Sequence, residues 1–560
     1  MGRPILVSRH DPTVVYHGAQ VVLRSRDGGM SWDAISPDLT TNTPAHLEAS
    51  GGPINNDITG VEIFNTIFAL AEDRRDPRTL WAGTDDGRVH VTRDGGTTWT
   101  EVTPPGMPRF GTVEEIVVSA HAPNRVYVAA QAYRLDDFRP YLWRSDDGGR
   151  TWMRLTENAG IPADHPVRSF AEDPKVPTVL YAGTEYGLYV SFDGGRGWQR
   201  FPQRLPITPI ADLEARDDDL VLSTQGRSLW IIDDLSALRE LSGAVTASAA
   251  HLVTPAPAVR AQKGVDPFDP QPGLPDQPAN GAVLHYWLGQ GATGPVTLEI
   301  RDALRRTVRL LTSDSVASKQ GRTMRLPVTR GLHRIIWDLT YPGPRTVEGQ
   351  VTWGYMGGVK APPGTYEAIL TANGVTMRRT LTVLPDPRLP QITATEYTEQ
   401  FRIASAVRDS LDALHRTLIE LREVRAQMEG LQAAARRIDA EGELRPSIDA
   451  LATKLQGLET RFTQTKSRSG QDPIRFAGQL DNQWAELYGI VTGPNGYISG
   501  GAEGRPTAGA AARLVELSAR WERLRLTWQE VVTKDLPALN ATAQRLTLGA
   551  IAIPQGAVVP

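Results

Sequence analysis

Three places along the chain gather the side chains best suited to chemistry. Asn55, Asn56, Asp57 and Glu62 lie just before or at the start of one apolar run, and Arg134, Asp136, Asp137, Arg139 and Tyr141 crowd a loop that interrupts another. Gln225 and Arg227 flank Gly226 at the start of a third. Paired carboxyls suit acid–base work on a sugar linkage: one protonates the leaving oxygen while a second, across the ring, activates water or attacks the sugar carbon. On that chemistry the catalytic candidates are Asp57, Glu62, Asp136 and Asp137. Asn55, Asn56, Arg134, Arg139, Tyr141, Gln225 and Arg227 are candidates to hold a polar ligand. The same residue types also make the ion pairs and turn contacts that lock neighbouring elements, so residue type alone does not choose between these uses.

Other chemistries find no pattern. The ten histidines are scattered, with no His-x-x-x-His and no calcium-loop spacing, and Asp217, Asp218 and Asp219 read as a turn, so no metal site is expected. There is no cysteine, hence no disulfide and no thiolate. No phosphate-cradling glycine motif stands between a strand and a helix, and no cofactor is implied. Lys and Arg number 60 against 64 Asp and Glu, a net charge of -4, which offers no field for nucleic acid or an anionic membrane. No run approaches a membrane span, and the opening MGRPILVSRHDP lacks the pattern of a signal peptide. Pro4 to Ser8 reads as a strand that begins at once, from which a truncated N-terminus is expected.

The elements that would position these residues repeat. Ser25–Trp32, Thr92–Trp99, Ser145–Trp152 and Ser191–Trp198 all fit Ser/Thr-x-Asp-Gly-Gly-x-x-Trp, and the copies around Thr79–Thr84 and Val179–Thr184 follow an apolar run after a proline turn. Each reads as strand, tight hairpin, strand. The glycines supply positive φ, the Asp accepts from the turn's own amides, and the Trp covers the hairpin. Asp27, Asp94, Asp147 and Asp193, with Trp32, Trp99, Trp152 and Trp198, are therefore structural. Asp212–Ala215 and Leu220–Asp234 form a fifth unit with strands but no such segment. Short strands at this spacing predict four-stranded propeller blades.

The four segments resemble Asp-boxes, or BNR repeats, as found in sialidases, sortilin-type receptors, some endoglucanases and a photosystem assembly factor. Together with GGPINNDITG at 51–60, RLDDFRPY at 134–141 and QGRSLWIIDD at 225–234, the chain resembles bacterial sortilin-like BNR proteins, which often carry the label glycosyl hydrolase. That resemblance implies a partial propeller of about five blades over 1–240, open at Pro4–Ser8 and near Leu229–Ile232, and a periplasmic or secreted location. It also implies that missing N-terminal blades or another chain complete the ring. Where such proteins carry His-Gly-Arg, this chain has Gln225-Gly226-Arg227, so the imidazole that would serve as a base is absent. A sialidase arginine motif has one near-match, Phe401-Arg402-Ile403-Ala404, outside the propeller and without its proline.

Residues 241–280, rich in proline, read as an extended connector. About seven alternating strands over 281–388 predict a β-sandwich with Trp337 and Tyr366 in its core, similar to the Ig-like domain of flagellar-hook-capping proteins. Over 391–548 the period changes to that of helices. Leu411, Leu414, Leu418, Leu421 and Met428 form one stripe, Ile448, Leu451, Leu455, Leu458 and Phe462 a second, and Leu514, Leu517, Trp521, Leu524, Trp528 and Val531 a third. With a short helix near Leu480–Val491 these predict an antiparallel bundle or hairpin. The reading that follows is a non-catalytic binding or scaffold protein that recognises a peptide or glycan on its propeller. The alternatives are a glycoside hydrolase using the loop carboxylates, and an assembly factor that holds a protein partner through its helices.

Overall fold

The computed structural model describes residues 4–48, 51, 53–55, 64–201, 205–261, 279–320, 324–495 and 501–553. They fall into two compact units, Met1–Thr246 and Ala247–Pro560.

The first unit has a β-propeller fold: among the described residues five antiparallel sheets follow one another in chain order, four of four strands and the last of three. In each the strands run in sequence from an inner strand outward, so every hairpin is local. The inner strands are Ile5–Val7, Ile67–Glu72, Thr112–Val118, Val167–Glu172 and Ile210–Arg216. There is no single core. Separate apolar clusters fill each gap between neighbouring sheets, which is why second strands such as Leu80–Thr84 and Val126–Ala132 are buried at every position instead of at alternate ones. Ile5 (70%), on the first inner strand, and Leu229 (68%), on the outer strand of the last sheet, are exposed.

The repeated segment closes the hairpin between the third and fourth strands as its residue types require. Asp147 Oδ1 accepts from Ser145 Oγ at 2.8 Å and from the amides of Arg150 and Thr151 at 3.0 and 2.9 Å. The Thr151 hydroxyl, donating to Oδ2 at 2.6 Å, leads these bonds in holding its carboxyl near 2, as hydrogen bonds from Thr98 and Thr92 hold that of Asp94. The tryptophans do something the sequence reading did not anticipate. The indole N–H of Trp99, Trp152 and Trp198 reaches across to the preceding sheet and donates to the carbonyls of Ile35, Val102 and Leu155 at 2.9, 2.9 and 3.0 Å. The second glycine of each segment packs on the same residue: a Cβ on Gly149 would sit 3.1 Å from both Val102 and Trp81. Trp32, in the first sheet, donates to its own Gly29 carbonyl at 3.1 Å.

A second latch recurs every other sheet. Glu72 accepts from Ser8 Oγ and the Arg9 amide of the sheet before it at 2.8 and 2.7 Å. Glu172 does the same with Ser119 Oγ and the Ala120 amide at 2.8 and 2.9 Å.

The second unit joins a two-sheet β-sandwich to helices. Among the described residues one sheet has three strands and the other five, and their inner faces share one core containing Tyr286, Leu298, Trp337 and Tyr366. Trp337 and Tyr366 meet edge to face at 5.3 Å. The stretch 241–280 is not wholly a connector: Ala250–Leu252 pairs with Ala282–Leu288, and Ala258–Arg260 adds a parallel edge strand beside Val375–Pro385. Pro255 and Pro257 fall between these strands or beside them, where no ladder N–H is needed. Ala394–Arg437 begins with a capping box, Thr393 with Glu396, and packs against Glu441–Phe462 and Leu480–Val491. A last helix, Ala508–Glu530, runs through a π-helical turn at Val531–Asp535 into Leu536–Arg545. The predicted stripes are buried in one core, with Leu514 partly so. Among the described residues no helix is long and apolar enough to cross a membrane.

Candidate functional site

Four inner strands of the propeller carry a β-bulge at the same place. Ile67, Val113, Val167 and Ile210 pair with Thr84, Ala130, Thr184 and Thr224, and the register then slips past Phe68, Glu114, Arg168 and Ala211. A bulge re-aims the extra side chain. Beside these four, at the ends of the second strands, stand Asp85, Gln131, Glu185 and Gln225; the amides of Asp85, Glu185 and Gln225 each bond the carbonyl of the residue before the inner strand. Two tiers of equivalent positions thus line the same end of successive sheets, and from the third sheet to the fifth the tiers are mostly polar.

Arg168 sits at the middle of this cluster. Its Nη1 donates to Glu185 Oε1 at 3.1 Å and to Gln225 Oε1 at 3.3 Å, and its buried Nε has no acceptor among the described residues. Glu114 is half-buried. Burial pushes its carboxyl above the ordinary range, the Glu185 charge adds to this, and the positive charges of Arg168 and Arg134 with a Gln131 hydrogen bond oppose it. Its neighbour Glu115 accepts from the Phe170 amide at 2.6 Å and is pushed well above the ordinary range by burial. In the second sheet, burial brings Asp85 up to about 6 although Thr66 bonds it.

Beside the cluster lies a cavity of about 240 Å³ walled by His46, Phe64, Phe110, Gln131, Arg134 and Leu135. Phe110 adopts φ 63°, a strained setting for an aromatic residue, and is held by the His46 ring at 4.6 Å and the Arg109 guanidinium at 4.7 Å.

The structure sorts the residues singled out in the sequence. Gln225 and Arg134 belong to the cluster or its wall. Asp137 does not: its carboxylate takes a bidentate pair from Arg139 at 2.9 and 2.7 Å and the Tyr141 hydroxyl at 2.6 Å. Those bonds, led by Arg139, hold it far below the ordinary range, which leaves no proton to donate near neutrality. Tyr141 is buried with its ring under the Arg154 guanidinium at 4.5 Å, so it belongs to the packing of its sheet. Asp136 caps a short 3-10 turn in the left-handed region, exposed. Arg227 is exposed and, among the described residues, gives only its carbonyl, to Trp230. Asn55 is exposed; Asn56, Asp57 and Glu62 lie outside the described residues. Glu114, Arg168 and Glu185 were missed. The available signal was the polar residue that follows each of Thr84, Thr184 and Thr224 at equivalent places in the repeat. No group of three or more potential metal ligands occurs among the described residues.

No family model matches the chain. It is similar to a xyloglucanase of a Paenibacillus species, 23% identical over 213 residues that make up 36% of this chain and 20% of that enzyme. It is likewise similar to the xyloglucanase Xgh74A of Acetivibrio thermocellus, 37% identical over 112 residues, 18% of this chain and 13% of the relative. Among solved structures, the GH74 enzyme of Niastella koreensis aligns over 67% of this chain and 56% of its own at 13% identity, with a TM-score of 0.32. The matched stretch thus spans about a fifth or less of the curated relatives. These relatives overturn the expectation of a non-catalytic binding or scaffold protein, and with it the lean away from an enzyme. The sequence matches are to proteins named as glycan-cleaving enzymes.

Proposed function

We propose that the chain is a glycoside hydrolase acting on a β-glucan of the xyloglucan kind, with its chemistry at the polar end of the propeller sheets. The observation that carries this reading is the convergence of two carboxyl groups, Glu114 and Glu185, on Arg168. Glu114 is the general acid that protonates the leaving oxygen. Glu185, paired with Arg168, is the partner that activates water or attacks the sugar carbon. Phe64 and Phe110 offer an apolar wall for the C–H face of a sugar ring, and Gln131, Arg134 and Gln225 surround the acid with groups able to take hydroxyls. The names of the relatives support the substrate class. In the same reading the five sheets are blades of an open propeller, the sandwich is Ig-like, and the protein acts outside the cell, where such a polymer is met.

The test is release of reducing sugar from xyloglucan and from aryl-glycosides by the purified chain. Glu114→Gln and Glu185→Gln are each expected to lower turnover by about 100-fold or more, the usual contribution of one acid or base. Wild-type chain that is folded and inactive on every substrate would overturn the proposal. Activity that both variants keep would move the chemistry elsewhere.

A further inference from the structure

A cavity of about 510 Å³ lies in the second unit, between the loop at Trp353 and the helices Leu480–Val491 and Ala508–Glu530. That volume is in the range of small-ligand sites. Trp353 forms one wall, Leu487 and Ile490 supply apolar surface, and Gln483, Glu486 and Arg513 supply the polar groups.

The loop that presents Trp353 is fixed. Gly354, at φ 134°, is pressed so closely on the helix that a Cβ would lie 2.4 Å from that of Ala485. The Tyr355 amide donates to the Ala485 carbonyl at 3.2 Å, and the Tyr355 ring packs on Tyr488 at 5.1 Å. The polar side is fixed too. Gln483 Oε1 accepts from both Arg513 and Arg520, at 3.0 and 3.1 Å, and its Nε2 donates to the Gly478 carbonyl at 3.2 Å, so its amide cannot turn. Arg513 also pairs with Glu516 at 2.6 Å. Glu486, half-exposed, has no side-chain partner among the described residues and is a vacant acceptor. Two carboxylates and two guanidiniums leave this rim without net charge, which disfavours ionic ligands. An indole facing aliphatic side chains, rimmed by oriented acceptors and donors, matches a ring that is apolar on its faces and carries hydroxyls at its edge.

We propose that this cleft is a second glycan site, which binds a neutral pyranoside segment of the polymer without cleaving it. Its choice of ligand rests on the hydrolase reading of the propeller, but its residues are separate from Glu114 and Glu185. Trp353 stacks on the sugar, and Glu486 and Arg513 take its hydroxyls. The cleft holds the chain on polymer while the propeller turns over.

The experiment is affinity electrophoresis of the full chain through gels containing xyloglucan, with calorimetry against cellotetraose and a xyloglucan heptasaccharide. Trp353→Ala is expected to weaken retention by about tenfold, the scale of one stacked aromatic, while hydrolysis of small aryl-glycosides is unchanged. Gly509→Leu tests the cleft without removing a core group, because a Cβ there meets nothing nearer than Thr507 Oγ1 at 3.9 Å; the new side chain plugs the space and should weaken retention equally. Trp353→Phe should restore part of it. Retention of both Trp353→Ala and Gly509→Leu at the wild-type level overturns the site. Glu114→Gln separates the two readings: retained binding with lost turnover is expected, and a wild-type chain that binds through Trp353 yet never turns over sinks the hydrolase reading alone.

Discussion

The indole N–H of Trp99 donates to the Ile35 carbonyl at 2.9 Å, across the boundary between the second propeller sheet and the first. The same bond from Trp152 and Trp198 makes the repeated segment a joint between sheets as well as a turn. Its energetic weight is set by burial. Trp198 is 4% exposed and its acceptor Leu155 is buried, whereas Trp32 is 40% exposed and bonds within its own turn.

Trp198→Phe should therefore leave the Leu155 carbonyl without its donor and cost about 1–3 kcal/mol. Trp32→Phe should cost less than about 0.5 kcal/mol, as exposed substitutions do. Urea unfolding followed by far-ultraviolet circular dichroism measures both, and equal costs would deny the joint its role.

The raised Glu114 carboxyl predicts a pH profile. An acid must carry its proton to act, so turnover should fall as pH rises through its pKa, above the ordinary carboxylate range. Removing the Arg168 charge, which opposes the rise, moves that falling limb to higher pH. A pH series of kcat/KM for the wild type and Arg168→Met checks this. A limb that stays in place excludes Glu114 as the group that titrates.

What could be read in the sequence depended on the distance over which each feature is fixed. Asp27, Asp94, Asp147 and Asp193 were legible because each bonds atoms within four residues of itself. The helical stripes were legible because the period is local. The cluster at Glu114 was not, because it needs the register of three sheets: Arg168 meets Gln225 across 57 positions of chain. Asp137 misled for the opposite reason. A carboxylate two residues before Arg139 and four before Tyr141 is consumed locally, and spacing alone does not reveal that. Ala258–Arg260 was hidden among prolines because a parallel edge strand needs few ladder bonds.

Arg260 and Glu503 pair at 2.7 Å with side chains 1% and 5% exposed, and the guanidinium also reaches Gln400 at 2.8 Å and the Ala361 carbonyl at 3.2 Å. The pair ties the edge strand of the sandwich to the loop before Ala508–Glu530, and the Gln400 bond ties it to Ala394–Arg437. Glu503→Gln strands a buried cation and should cost about 3–5 kcal/mol, while the double change Arg260→Met with Glu503→Leu should recover most of that. Thermal unfolding of the three variants decides. A double variant no better than the single would mean that the hydrogen bonds to Gln400 and Ala361 carry the contact.

Asp481, wholly buried at the start of its helix, gives the second unit a stability that depends on pH in an uncommon direction. Its carboxyl accepts from Thr463 Oγ1 and the Asn482 amide at 2.6 and 2.7 Å, yet burial outweighs these bonds and pushes it up to about 6. In the unfolded chain the group titrates near 3.8, so between that value and about 6 the folded protein binds the extra proton. Its contribution is fully present below the lower value and is lost as pH rises through the upper one, a change of about 3 kcal/mol. Asp481→Asn keeps an acceptor and cannot ionise. The wild type should therefore gain about 2 kcal/mol on this variant between pH 7.5 and pH 4, most of the full change, read from urea midpoints at the two values. A difference that is constant with pH, or that shrinks on acidification, would show that Asp481 is ionised in the folded state throughout.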